Sequence, residues 1–224
     1  MMEIAAGWGA TSLPGQLRLF PLGGVLLLPG GALPLNIFEP RYLAMIRDAL
    51  DTDRLIGLIQ PADPASHAEK PLLYSIGCAG RIIEQTETEV GRILIELAGV
   101  CRFDVVEELT VGTPYRQAAV AYNRFAADLS IDQKPEQTGG LDRDALLTEL
   151  QSYLRHLEIG ADWPAIAKAP DERLVNSLAM ICPFGPSEKQ ALLEAVDLTE
   201  RARLMMMMMH MAVNDRHNDQ GPLN

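Results

Sequence analysis

The residues that most often carry catalysis or bind metal ions are few and scattered in this chain. The cysteines are Cys78, Cys101 and Cys182, and the histidines are His67, His156, His210 and His217. No C-x-x-C spacing occurs, and each cysteine lies in an apolar stretch, which is typical of small core residues. The sequence therefore predicts neither a metal site nor another cofactor, and we expect the cysteines to lie in the core.

Nucleophilic and phosphate chemistry also lack their usual motifs. Ser187 follows Gly185-Pro186, but no base is evident for it, and its spacing to Gln190 fits a capping box at a helix N-terminus. The phosphate loop G-x-x-x-x-G-K-[ST] occurs nowhere in the chain. We therefore expect neither ATP hydrolysis nor proteolysis by this chain alone, and predict that it is not an enzyme.

Polar and aromatic residues at the start of the first predicted helix form a candidate binding cluster. Phe38 and Tyr42 flank Glu39 and Arg41 here. Glu39 also has an alternative, purely stabilising role, because a carboxylate beside a helix N-terminus is favourable by a few tenths to about 1 kcal/mol. Arg102, near Gly99, is a second candidate, and as an alternative it could be a turn residue that bonds backbone carbonyls.

Methionines dominate the last predicted helix, with a run of five at 205–209 and a sixth at Met211. Five consecutive residues point around most of a helix, so burial of one face cannot hide all of them. Methionine adapts its shape easily and suits variable partners, which makes Met206 and Met209 candidate contact residues. The alternative, which we favour, is a central helix packed on several sides.

The elements that must position these residues begin with a stretch that has no charge from Leu19 to Phe38. Three prolines and four glycines within it exclude a membrane helix, because unpaired backbone in lipid costs several kcal/mol per group. We predict strands at 16–22, 25–28 and 33–38. A helix should follow from Pro40 to about Leu50, with one apolar face.

Short strands and then helices are predicted for the rest of the chain. Residues 55–60 form an apolar run stopped by Pro61, and the alternation around TETEVG predicts a hairpin with a period of two. Near Gly139-Gly140 the period changes to that of helices, which we place at 141–157, 163–169, 171–182, 187–196 and 197–213. The fold class is therefore α+β, with a β-rich half followed by a helical bundle.

The predicted domain organisation has five parts. Residues 1–15 form a flexible arm, 16–125 the β-rich subdomain, 126–140 a linker, 141–213 the helical subdomain, and 214–224 a disordered tail. The N-terminus has no Lys or Arg before Arg18 and so lacks a signal peptide, from which we predict a cytoplasmic protein.

Several of these stretches together resemble a known family. The run L-F-P-L-x-x-V-L-x-x-P-G-x-x-L-P-L-x-I-F-E-P-R-Y, which ends at Tyr42, is similar to the opening of the Lon protease N-terminal domain. Gly99, Arg102 and Phe103 resemble that domain's G-x-x-R-F turn, and Pro114-Tyr115 its Pro-Tyr motif. The resemblance covers roughly residues 17–210, and we expect a stand-alone N-domain without ATPase or protease domains.

The resemblance implies a PUA-like pseudobarrel and a module that binds unfolded or misfolded polypeptides, as an adaptor or regulator of proteolysis, with a protease as a further possible partner. Two alternatives are an RNA-binding PUA-like module and a hydrolase with an unrecognised site. Net charge is −11, with −4 over residues 1–125 and −7 over 126–224. This acidic balance disfavours nucleic acids and anionic membranes as partners. The sequence leaves the oligomeric state open.

Overall fold

The computed structural model describes residues 13–63, 65, 66, 68, 70–133 and 140–219. The chain divides into two compact units, one ending at Lys134 and the other beginning at Pro135. The first contains every strand of the described part, and the second is helical. This confirms the α+β class and the change of period near residue 140 on which it was based.

One mixed sheet organises the first unit. Its strands are β1 (Gln16–Pro21), β2 (Ala32–Ile37), β3 (Leu55–Ile59), β4 (Ile76–Glu87), β5 (Ile93–Leu109) and β6 (Gln117–Ala121). They pair in the order β2-β5-β4-β3-β1-β6, and only β1 and β3 run parallel. β3 is buried along its whole length, as its uninterrupted apolar run predicts.

The sheet is barrel-like because β6 pairs on two sides. β6 is antiparallel both to β1 and to the second half of β5. β5, β4, β3, β1 and β6 are thus connected in a cycle of pairings, while β2 lies outside the cycle on the first half of β5. Side chains inside this curved sheet form the core of the first unit.

α1 (Pro40–Leu50) closes one side of this core. Pro40 lies in the first turn, where a backbone N–H has no acceptor within the helix, so the N–H that proline lacks is not needed there. Tyr42, Met45, Ile46 and Ala49 form the buried face. Arg47 ties the helix to the end of β4 through an ion pair with Glu87, 3.1 Å long. The bounds of α1 agree with the prediction from the sequence.

Two local predictions are wrong, the strand at 25–28 and the turn at 99–103. Residues 25–28 are buried, at Leu26, Leu27 and Leu28, but form no strand. Residues 99–103 are not a turn, because β5 continues through them. The two errors have one physical cause, because the turn after Leu28 packs on Gly99 of β5. Gly30 N–H donates to Gly99 O at 3.0 Å, and Gly99 N–H donates to Gly31 O at 2.8 Å.

Gly99→Ala should lower the free energy of unfolding by about 1–3 kcal/mol, as overpacking in a core does. A Cβ at residue 99 would lie 2.0 Å from the carbonyl oxygen of Leu28, so backbone must move. Gly112→Ala is the matched control, because no atom lies within 4 Å of its Cβ position, and a change within about 0.5 kcal/mol is expected. Urea denaturation measures both, and equal midpoints would contradict the close approach.

The predicted linker at 126–140 is wrong for its first part. Residues Asn123–Gln133 form a 3-10 helical segment with a kink at Phe125. Phe125 and Asp128 are buried, and Asp128 binds Arg102 of β5. This segment therefore belongs to the first unit, and residues 134–139 lie outside the described part, as do the first twelve residues of the predicted arm.

The second unit contains five helices in its described residues. They are α2 (Arg143–His156), α3 (Trp163–Lys168), α4 (Asp171–Ile181), α5 (Pro186–Glu194) and α6 (Leu198–Asp219). Their core includes Leu146, Leu150, Val175, Leu192 and Ala202, all fully or nearly fully buried. These helices agree with the predicted ones apart from two details at their ends.

The two differences concern the start of α5 and the end of α6. Gly185, not Ser187, precedes the first turn of α5, and the Glu188 carboxylate accepts a hydrogen bond from Gly185 N at 2.6 Å. α6 extends to Asp219, so residues 214–219 are helical and the predicted tail begins too early; residues 220–224 lie outside the described part. Among the described residues, no helix has both the length and the apolar character needed to cross a membrane.

Candidate functional site

Apolar side chains are exposed on the outer face where β2 pairs with β5. Alternation along these strands turns Ile37 and Ile93 into the core and Leu94 outward, where it is 44% exposed. Phe38, the residue after β2, is 61% exposed, and the Arg92 guanidinium carbon lies 5.7 Å from its ring centre. We call Asn36, Phe38, Arg92 and Leu94 the β2 face; it offers one aromatic and one aliphatic contact beside a cation.

The free edge of β2 adjoins this face. Within the described residues β2 pairs with β5 alone. Gly99 N donates to Gly31 O, so alternation directs the backbone groups of Leu33 and Leu35 toward β5 and those of Ala32, Pro34 and Asn36 toward the open edge. Pro34 has no N–H, but its backbone faces away from β5, so no hydrogen bond between β2 and β5 is lost. An extended chain could pair along this edge.

Tyr42, a predicted contact residue, is largely buried. Its ring lies 4.5 Å from that of Phe20, and the Arg41 guanidinium covers it at 4.5 Å. Burial raises the pKa of the Tyr42 phenol, with Arg41 opposing the shift. Arg41 also pairs with Glu39 at 2.8 Å. Tyr42 thus packs beneath the surface pair of Glu39 and Arg41, and its ring belongs to the core rather than to the exposed surface.

Arg102, another predicted contact residue, is committed to an internal ion pair. Its Nε and Nη2 atoms each donate to the Asp128 carboxylate at 2.9 Å, and its backbone N–H donates to the same carboxylate at 3.0 Å. Burial alone would lower the pKa of Arg102, but the hydrogen bonds and charge of Asp128 raise it above its ordinary value. These contacts give Arg102 a structural role in the first unit.

The methionines of α6 separate into buried and exposed positions. Met205 and Met209 are fully buried, Met206 is half-buried, and Met207 and Met211 are 48% and 57% exposed. The prediction of Met209 as a contact residue is therefore corrected, because its side chain belongs to the core of the second unit. The favoured alternative, a helix packed on several sides, describes α6 better.

The cysteines are poor candidates for covalent chemistry. All three are buried free thiols, and burial raises the pKa of Cys101 to about 12 and that of Cys182 to about 11. A thiol must ionise to act as a nucleophile, so these groups are unreactive at neutral pH. In the part of the chain that the structure describes, no group of three or more histidines, cysteines and carboxylates could hold a metal ion.

Comparison with known proteins assigns the family. The model of the ATP-dependent protease La (LON) substrate-binding domain matches residues 16–211, which is most of the chain. The chain belongs to the Lon substrate-binding domain family. Lon protease 2 of Myxococcus xanthus is 28% identical over 199 residues, covering 87% of this chain and 23% of that protein. Lon protease of Roseiflexus castenholzii is 26% identical over 197 residues, or 87% and 24% of the two chains. The chain thus spans about a quarter of the length of the curated relatives it matches.

Solved structures show the same fold. The Lon N-terminal domain protein from Xanthomonas campestris covers 86% of this chain with a TM-score of 0.58 and 22% identity, and 97% of that protein is matched. The N-terminal domain of the Mycobacterium avium complex Lon protease covers 87% of this chain and 98% of its own, with a TM-score of 0.57 and 16% identity. The resemblance inferred from the sequence is thereby confirmed.

The sequence of this Lon substrate-binding domain indicated only part of the β2 face. Phe38 was predicted as a contact residue and is exposed, but Arg92 and Leu94 were missed. Leu94 does carry a signal: it is apolar at a position where the alternation of Ile93, Ile95 and Leu97 predicts a polar residue. Asp128, which pairs with Arg102, carries no local signal, because it lies in a stretch for which the sequence predicts a linker.

Proposed function

We propose that this chain is a non-catalytic polypeptide-binding module that recognises exposed apolar segments of unfolded or misfolded proteins in the cytoplasm, as an adaptor or regulator of proteolysis. The observation that carries the proposal is the β2 face beside the free edge of β2. Membership of the Lon substrate-binding domain family supports polypeptide as the ligand class.

Backbone pairing would supply the sequence-independent part of binding. An unfolded segment is extended or easily extended, and it can add as a strand to an open sheet edge. The outward backbone groups of Ala32 and Asn36 offer donors and acceptors, while Pro34 offers an acceptor only. Two donor positions separated by a proline would bind a short strand weakly, which suits a module that must release its clients.

Side-chain contacts would supply the preference for apolar segments. Phe38 and Leu94 lie on one face beside the edge, where alternate side chains of an added strand would meet them. Arg92 covers one side of the Phe38 ring and limits its movement, so that less side-chain entropy is lost on binding. Charge adds to this selectivity, because a net charge of −11 disfavours nucleic acids.

Phe38→Ala should weaken binding of an unfolded protein at least about fivefold, the effect expected when an interface anchor worth more than 1 kcal/mol is removed. The ligand is reduced, carboxymethylated α-lactalbumin, and affinity is measured by fluorescence anisotropy of the labelled ligand. Phe38 is mostly exposed, so its truncation should leave the thermal unfolding midpoint nearly unchanged.

Val106→Ala provides the matched control. Val106 is 67% exposed on the second half of β5, away from β2, and its truncation removes apolar surface of the same kind. Its affinity should equal that of the original chain. Equal affinities for all three proteins would remove the β2 face from the binding site. Preferential, steeply salt-dependent binding of structured RNA in place of the unfolded protein would favour the RNA-binding alternative.

A further inference from the structure

The second unit contains an open groove between α2 and α3, with a volume of about 440 Å³. Asp144, Leu147, Thr148 and Gln151 line it from α2, and Trp163 and Ile166 from α3. α3 has no buried residue, although it carries a tryptophan and an isoleucine. The apolar side chains of α3 are therefore used for the groove and not for the core.

Both ends of α3 are held by side chains, so the groove is preformed. Arg143 of α2 donates to the carbonyl oxygens of Ile166 at 2.9 Å, Ala167 at 3.1 Å and Ala169 at 2.9 Å, and pairs with Asp171. At the other end, the Asp162 carboxylate accepts from Ala165 N at 3.1 Å. A helix of six residues is unstable alone; the Asp162 cap stabilises its first turn, and the Arg143 bonds hold its C-terminal end against α2.

The electrostatics of the groove favour a cation. Asp144 is exposed, and in the described part of the chain its carboxylate has no hydrogen-bond or ion-pair partner. The lining includes no Lys, Arg or His, and the adjacent Arg143 is neutralised by Asp171. Thr148 and Gln151 add oxygen acceptors, and the Trp163 ring can attract a cation to its face.

We infer that this groove binds an arginine side chain of a polypeptide. A guanidinium is planar, so it can stack on the indole of Trp163 while it donates two hydrogen bonds to the Asp144 carboxylate. Its methylene groups would contact Leu147 and Ile166. The inference rests on the proposed function, since the occupant is part of a bound polypeptide, and deepens it by adding basic residues to the recognised features.

The test titrates the full-length ¹⁵N-labelled protein with the peptide acetyl-Gly-Arg-Gly-amide and follows the Trp163 indole N–H resonance, assigned with a Trp163→Phe variant. Replacing arginine in the peptide by citrulline, which is neutral and of the same shape, should weaken binding about fivefold, as loss of an exposed charge pair and a cation–π contact does. Asp144→Asn should reduce the preference for arginine over citrulline, and only the share due to the Trp163 ring should remain.

Glu158→Gln is the matched control, because Glu158 is exposed in the same unit but does not line the groove. It removes the same charge and should preserve the preference for arginine. Equal affinity of both peptides for the unchanged protein, or resonance changes remote from Trp163, would overturn the inference.

Failure of the groove and failure of the proposed function are distinguishable on the same preparation. If carboxymethylated α-lactalbumin binds in a Phe38-dependent manner while arginine and citrulline peptides bind equally, only the arginine site is excluded. If the arginine peptide binds at Trp163 with the expected preference while the unfolded protein does not bind, the site is established and the proposed function fails.

Discussion

Asp128→Ala should lower the free energy of unfolding by about 3–5 kcal/mol, because it removes the carboxylate that forms a buried ion pair with the Arg102 guanidinium. The side chains of Arg102 and Asp128 are 7% and 8% exposed, so water cannot replace the lost bonds without opening the core. For a chain of this size the thermal midpoint should fall by roughly 6–20 °C. Guanidinium denaturation followed by circular dichroism measures the change.

Two controls separate the loss of the buried ion pair from other effects of truncation. Asp104→Ala breaks a more exposed pair with Arg124, 3.5 Å long, and should cost less than about 1 kcal/mol. The double variant with Arg102→Met and Asp128→Leu should lose less stability than Asp128→Ala, since it removes both charges of the buried pair. A double variant as unstable as the single one would show that the specific geometry, not charge compensation, matters.

Met209→Glu should destabilise the protein by about 4 kcal/mol or more, whereas Met207→Glu should change its stability by less than about 0.5 kcal/mol. The two residues lie two positions apart on α6, but Met209 is fully buried and Met207 is 48% exposed. A carboxylate at residue 209 would enter an apolar core without a partner. Chemical denaturation of the two variants under identical conditions tests the contrast.

Met209→Leu controls for the change of side-chain shape and should cost less than about 1.5 kcal/mol. If Met209→Glu unfolds at the same denaturant concentration as Met207→Glu, the burial of α6 shown by the structure would be wrong. The result also bears on function, because a contact surface on this helix could include the exposed Met207 and Met211 but not Met209.

The sequence predicts only those residues of the candidate site whose exposure follows from their neighbours in the chain. Phe38 lies between a predicted strand and a predicted helix, and an aromatic residue there is conspicuous without a structure. Leu94 and Arg92 lie on the same face as Phe38 only because β2 pairs with β5 in the register that places Asn36 opposite Leu94. That register joins residues 58 positions apart, which a local pattern does not specify.

The α+β class, the bounds of α1 and β3 and the succession of helices after residue 140 follow from the sequence alone, because hydrophobic periodicity, proline positions and charge are local properties. Only the tertiary structure decided that β5 continues through Gly99, that Arg102 pairs with Asp128, and which methionines are buried. Each of these depends on a partner distant in the chain, as Asp128 is 26 residues from Arg102. Local periodicity places a residue on a face of its own element, whereas the packing of other elements decides whether that face is covered.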